Sequence, residues 1–85
     1  MPEISRFLGI VIRMYYADHG PAHFHAEYGE YHVKVFIETG AVEGQFPRRA
    51  LSHVIEWCSA HRQDLLDDWN LALARRPLRP VPPLE

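Results

Sequence analysis

Within residues 18–32 the chain gathers four of its six histidines, His19, His23, His25 and His32, together with the carboxylates of Asp18 and Glu27. His23-x-His25-x-Glu27 sets two imidazoles and a carboxylate at alternate positions, which on a β-strand share one face. Two histidines and a carboxylate with open positions suit non-haem iron, and histidine with carboxylate also suits zinc. His23, His25 and Glu27 are therefore candidate ligands for a divalent metal. Asp18 and His19 could approach from the preceding loop, and His19 or His32 could carry a proton near neutral pH. The chemistry would be metal-dependent hydrolysis, nuclease activity included.

Two features oppose that reading. Alternate residues on a strand lie about 7 Å apart, so three ligands from one strand need strong curvature. In the hairpin register argued below, Lys34 also stands opposite His25, where an ammonium would repel a cation. A plainer reading makes the same residues a polar sheet face, with Glu27 and His32 as a cross-strand ion pair. A third reading is nucleic-acid binding, with the histidines, Lys34 and Arg13 on phosphate and Tyr15 or Phe36 stacked on a base.

The rest of the chain offers less chemistry. Cys58 falls on an apolar helical stripe and reads as core. His53 and His61 read as exposed or capping, and Trp57 and Trp69 as core or interface anchors. Asp64, Asp67 and Asp68 read as a solvated helix face. There is no phosphate-binding glycine loop, paired-cysteine zinc motif or serine nucleophile signature. No complete catalytic set is present, so an interaction role takes precedence over an enzymatic one.

The elements that must position these residues follow from periodicity. Residues 7–16 are rich in β-branched and aromatic types and predict a strand. Residues 17–22 hold Asp18, Gly20 and Pro21 and predict an exposed connection. With Gly29 and Glu30 as the centre of a type II′ turn, Tyr28 faces Tyr31, Glu27 His32, Ala26 Val33, His25 Lys34, Phe24 Val35 and His23 Phe36. That register puts Phe24, Ala26, Tyr28, Tyr31, Val33, Val35 and Ile37 on one face and His23, His25, Glu27, His32 and Lys34 on the other. A second turn at Thr39-Gly40 would set Val42 against Ile37 and Gly44 against Val35. Apolar residues at three- and four-residue spacing over 48–75 predict helix, in two segments or with a kink near Ser59. The expected fold is α+β: an antiparallel meander of three to four strands, one face covered by a C-terminal helix or helix pair. Residues 1–76 form a single domain. Residues 77–85, with four of the seven prolines, predict a disordered tail, and its final Leu84-Glu85 could be native or an expression remnant.

At 85 residues and a formal net charge of -2, the chain is one small domain, monomer or homodimer, without the electrostatic footprint of a dedicated nucleic-acid or anionic-membrane binder. A single cysteine and the lack of a signal-peptide pattern predict a cytoplasmic protein. No apolar run approaches the roughly 20 residues that span a bilayer, so no membrane role is expected.

Three stretches together resemble the bacterial domain-of-unknown-function family 4160. They are Phe7-Leu8-Gly9-Ile10, the Asp18-His19-Gly20-Pro21-Ala22-His23-Phe24-His25-Ala26-Glu27-Tyr28-Gly29 run, and the later Glu56-Trp57 with His61 to Trp69. The resemblance spans about residues 1–75, and its specific part is Asp-His-x-Pro-x-His-x-His-x-x-Tyr-Gly. It implies a small bacterial protein often encoded beside another small domain of unknown function, an arrangement similar to some toxin and antitoxin pairs. It supplies no catalytic residues. The expected function is an interaction module acting with a partner protein encoded nearby. The alternatives are a metal-dependent hydrolase or nuclease and a nucleic-acid-binding module. The candidate surface comprises Asp18, His19, His23, His25, Glu27, His32 and Lys34.

Overall fold

A computed structural model describes residues 2–84. Met1 and Glu85, the latter half of the suspected expression remnant, lie outside the described residues. Five antiparallel strands run in chain order across one sheet: β1 (Glu3–Phe7), β2 (Ile10–Arg13), β3 (His23–Tyr28), β4 (Tyr31–Phe36) and β5 (Val42–Gln45). Two helices follow, α1 (Arg48–Ala60) and α2 (Arg62–Leu73). The α+β class is as expected, but the sheet has five strands where three to four were predicted.

The additional strand was hidden in the 7–16 run. Leu8 and Gly9 have φ of 51° and 79° and form a two-residue turn between the paired Phe7 and Ile10. Positive φ at both centres is the requirement of a type I′ hairpin, whose twist matches that of the strands. Leu8 consequently projects into solvent, 61% exposed, while Phe7 and Ile10 are buried.

The β3–β4 hairpin has the predicted register in all six pairs, from His23 against Phe36 to Tyr28 against Tyr31. Gly29 takes φ 58° at the first turn position. The β4–β5 register differs from expectation by two residues: Val35 faces Val42 and Val33 faces Gly44. Phe36 instead closes the turn by accepting from the Gly40 amide and donating to the Ala41 carbonyl, while the Ile37 amide is drawn off to the Ala22 carbonyl. A two-residue slip leaves every side chain on its intended face.

Ile10, Ile12, Met14, Phe24, Ala26, Val33, Val35 and Ile37 form the apolar face, and Val54, Trp57, Cys58, Leu65, Trp69 and Ala72 cover it from the helices. The helices break at His61 (φ -123°, ψ 27°), two residues after the expected Ser59.

Residues 77–84 are not a free tail. Val81 is buried and its amide donates to the Ile4 carbonyl on β1. The Pro82 carbonyl accepts from Trp57 Nε1, and the Arg79 amide donates to Asp68 Oδ1, both at 2.8 Å. Asp68, expected on a solvated helix face, is accordingly 1% exposed. Among the described residues no helix is long and apolar enough to cross a membrane.

Candidate functional site

The polar cluster forms where the 17–22 loop folds back over the start of β3. The Ala17 amide donates to the Ala72 carbonyl of α2, tying the loop to the helix layer. This brings Asp18 Oδ2 to 2.9 Å from His23 Nε2 and 3.8 Å from His25 Nε2. Among the described residues, Asp18, His23 and His25 form the one group of three whose ligand-type atoms all lie within 4.8 Å of one another.

Each member is also held from behind. The His19 amide donates to Asp18 Oδ1 at 2.8 Å. His23 Nδ1 donates to the Pro21 carbonyl at 2.8 Å. His25 Nδ1 lies 3.0 Å from His32 Nε2, with the two rings stacked. Aromatic walls fix the rings: Trp69 lies 5.0 Å and Phe36 5.9 Å from the His23 ring, and Tyr15 meets His25 edge-on at 4.5 Å. His23 is 2% exposed, and His25 Nε2 is buried with no hydrogen-bond partner among the described residues.

The other predicted residues go elsewhere. Glu27 faces His32 in register but binds Arg13 of β2 at 3.2 Å, replacing the expected Glu27–His32 pair and drawing its carboxylate away from the histidines. Lys34 stands opposite His25 as predicted, but its ammonium leans over the Phe36 ring and toward Glu43 of β5, 4.0 Å away. The expected repulsion at His25 is thereby reduced. The two cations proposed for phosphate contact are thus each beside a glutamate. His19 is exposed and acts on the cluster through its backbone.

Burial alone would raise the Asp18 pKa, but the His19 amide, the bond to His23 and the charges of both histidines outweigh it and hold the carboxyl below its ordinary range. Burial, reinforced by His23 and His32, pushes His25 below 6.5 despite the opposing Asp18 charge. The folded state therefore takes up the His25 proton less readily than the unfolded chain. The stability that follows is present in full above about 6.5 and is lost as pH falls from there through the depressed folded-state value. Thermal unfolding from pH 7.5 down to 5.5 should show this loss, and His25→Gln should lessen the slope. Equal slopes would contradict the assignment.

A second feature lies at the opposite end of β3. Leu8, Ile10, Tyr28, Pro47, Arg49, Ala50 and His53 line a pocket of about 230 Å³. Leu8 and Tyr28 are exposed at its edge, and Tyr31 beside Tyr28 extends the apolar surface. Arg49 and His53, one helical turn apart on α1, bring basic groups to it.

No curated protein and no solved structure matches the chain significantly. The model of the domain of unknown function DUF4160 matches residues 9–70, from the turn before β2 to within α2. That span contains the whole histidine cluster and the larger part of the chain, which therefore belongs to the DUF4160 family.

Proposed function

We propose that this domain is a small interaction module that docks a partner protein, the product of a neighbouring gene in a regulatory or toxin and antitoxin type pair. The observation that carries the reading is the pocket at the Leu8–Tyr28 end of the sheet. A leucine held 61% exposed on a tight turn, beside an apolar depression, is an anchor for a partner's apolar side chain. Arg49 and His53 favour a carboxylate flanking that side chain. The protein acts on this reading as a scaffold and needs no chemistry at the docking end.

Co-expression with the neighbouring gene product, followed by size-exclusion chromatography, should yield one co-eluting complex. Leu8→Asn retains a residue type that tolerates positive φ, and Arg49→Glu reverses an exposed charge, so both should leave the melting temperature within about 2 °C and weaken the complex at least tenfold. Separate elution of the two wild-type proteins at micromolar concentration would refute the proposal.

A further inference from the structure

We infer that Asp18, His23 and His25 form a centre for one divalent cation of the zinc or ferrous class, presenting Asp18 Oδ2, His23 Nε2 and His25 Nε2 as ligands. The centre is independent of the docking surface.

Protonation geometry supplies the first argument. A carbonyl only accepts, so the 2.8 Å contact with Pro21 assigns a proton to His23 Nδ1. Nε2 then faces the Asp18 carboxylate at 2.9 Å across either a second proton or a cation. His25 is placed in the same way: Nδ1 is 3.0 Å from His32 Nε2, and with Nδ1 donating to that nitrogen Nε2 carries a lone pair. That lone pair is buried, lacks a hydrogen bond among the described residues, and faces an acceptor oxygen 3.8 Å away. Two electron-rich atoms held toward each other at this separation are the arrangement a cation resolves.

The second argument is the support behind each ligand. Metal-binding histidines characteristically donate their other ring N–H to a carbonyl, a carboxylate or another fixed acceptor, which sets the tautomer and ring direction. Pro21 does this for His23 and His32 for His25, while the His19 amide holds the far oxygen of Asp18. All three far atoms are satisfied, and all three near atoms converge.

Spacing provides the third. Metal–ligand bonds of about 2.0–2.1 Å require ligand atoms about 3.3 Å apart in a tetrahedron, or about 3.0 Å apart at adjacent octahedral positions. The two separations from Asp18, 2.9 and 3.8 Å, bracket these values, and all three ligand atoms lie within 4.8 Å of one another, so the histidine rings have to turn inward to close on an ion. The loop carboxylate also removes the geometric objection to three ligands on one strand: two come from β3 and the third from a separate segment. Imidazole donors select zinc or ferrous iron over magnesium or calcium. Three protein ligands leave at least one position for water, the composition of a hydrolytic zinc site or of an iron site with open positions.

The test uses the untagged full chain, titrated with Zn²⁺, with Co²⁺ as a spectroscopic reporter, and with Fe²⁺ under anaerobic conditions. One equivalent should bind, with visible Co²⁺ bands and with ¹⁵N shifts at Nε2 of His23 and His25; the relative zinc and iron affinities distinguish the two metals. Asp18→Asn and His25→Gln should each weaken binding at least about 100-fold, whereas His53→Gln should not alter it. His32→Gln, at an exposed position that leaves the core intact, should weaken binding about tenfold through loss of the support behind His25, and it reads the same centre if the other variants fail to fold. Absence of stoichiometric binding, or affinity unchanged in Asp18→Asn, His25→Gln and His32→Gln, would overturn the inference.

Discussion

Trp57→Ala is expected to leave the protein largely unfolded at 37 °C. The indole is completely buried beneath the sheet, with Phe7 at 5.3 Å and Phe24 edge-on at 5.5 Å. It links three parts of the fold: α1, the strands that carry those phenylalanines, and the C-terminal segment through its bond to the Pro82 carbonyl. Truncating a buried Trp to alanine costs about 3–5 kcal/mol. At roughly 0.05–0.15 kcal/mol per residue, an 85-residue domain has only about 4–13 kcal/mol in total. Each kilocalorie lowers the melting temperature of a domain this size by about 4–8 °C. Thermal unfolding followed by circular dichroism should therefore show a loss of at least about 12 °C. Trp57→Phe keeps most of the apolar contact and removes only the donor to Pro82, so its loss should be less than half as large. Equal losses would mean that the hydrogen bond, not the ring packing, dominates.

The β3–β4 hairpin was legible because its information is local. Gly29 marks the turn, and strict alternation on both sides allows a single register. Where two local readings compete, the sequence is less decisive. Thr39-Gly40 looks like a two-residue turn, but the Ile37 amide bonds to Ala22, a tertiary contact that transfers the closing pair to Phe36 and Ala41. The Leu8-Gly9 turn was masked by apolar residues on both sides. Its sequence trace is a change of phase: Phe7 and Ile10, three apart, both face the core, which one uninterrupted strand cannot achieve.

The candidate site divides along the same line. His23 and His25 follow from their spacing on one strand. The third member of the cluster depends on which elements meet in space. Glu27 is the nearest carboxylate by strand alternation, yet the β2–β3 register sets Arg13 beside it. Asp18 enters because the loop turns back at Pro21 and is tied to α2. The Lys34 objection was sound as a statement about register and incomplete about reach: the long side chain follows Phe36 to Glu43 on the next strand. Trp69, read as a core or interface anchor, also packs against the His23 ring and connects α2 to the cluster.

Ending the chain after Arg76 should lower the melting temperature by at least about 10 °C, although a proline-rich segment of this composition reads as dispensable. Val81 contributes an almost fully buried side chain, worth about 1.5–3 kcal/mol. Its amide also satisfies the Ile4 carbonyl at the outer edge of β1, which truncation would reopen. Trp57 Nε1 would lose its acceptor, a further cost of about 1–3 kcal/mol wherever water cannot replace it. Asp68 partly offsets these losses. Burial raises its pKa, and among the described residues the Arg79 amide alone is bonded to it and its second oxygen has no partner, so uncovering it relieves a desolvation penalty. That offset has a pH signature. A folded-state pKa above the unfolded value contributes stability below about 3.8 that is lost as pH rises through the folded value. The truncated chain should therefore compare less favourably with the full chain at acidic pH, where Asp68 is already neutral, than at pH 7. A melting temperature unchanged at both pH values would show that residues 77–84 contribute nothing to the fold despite their contacts.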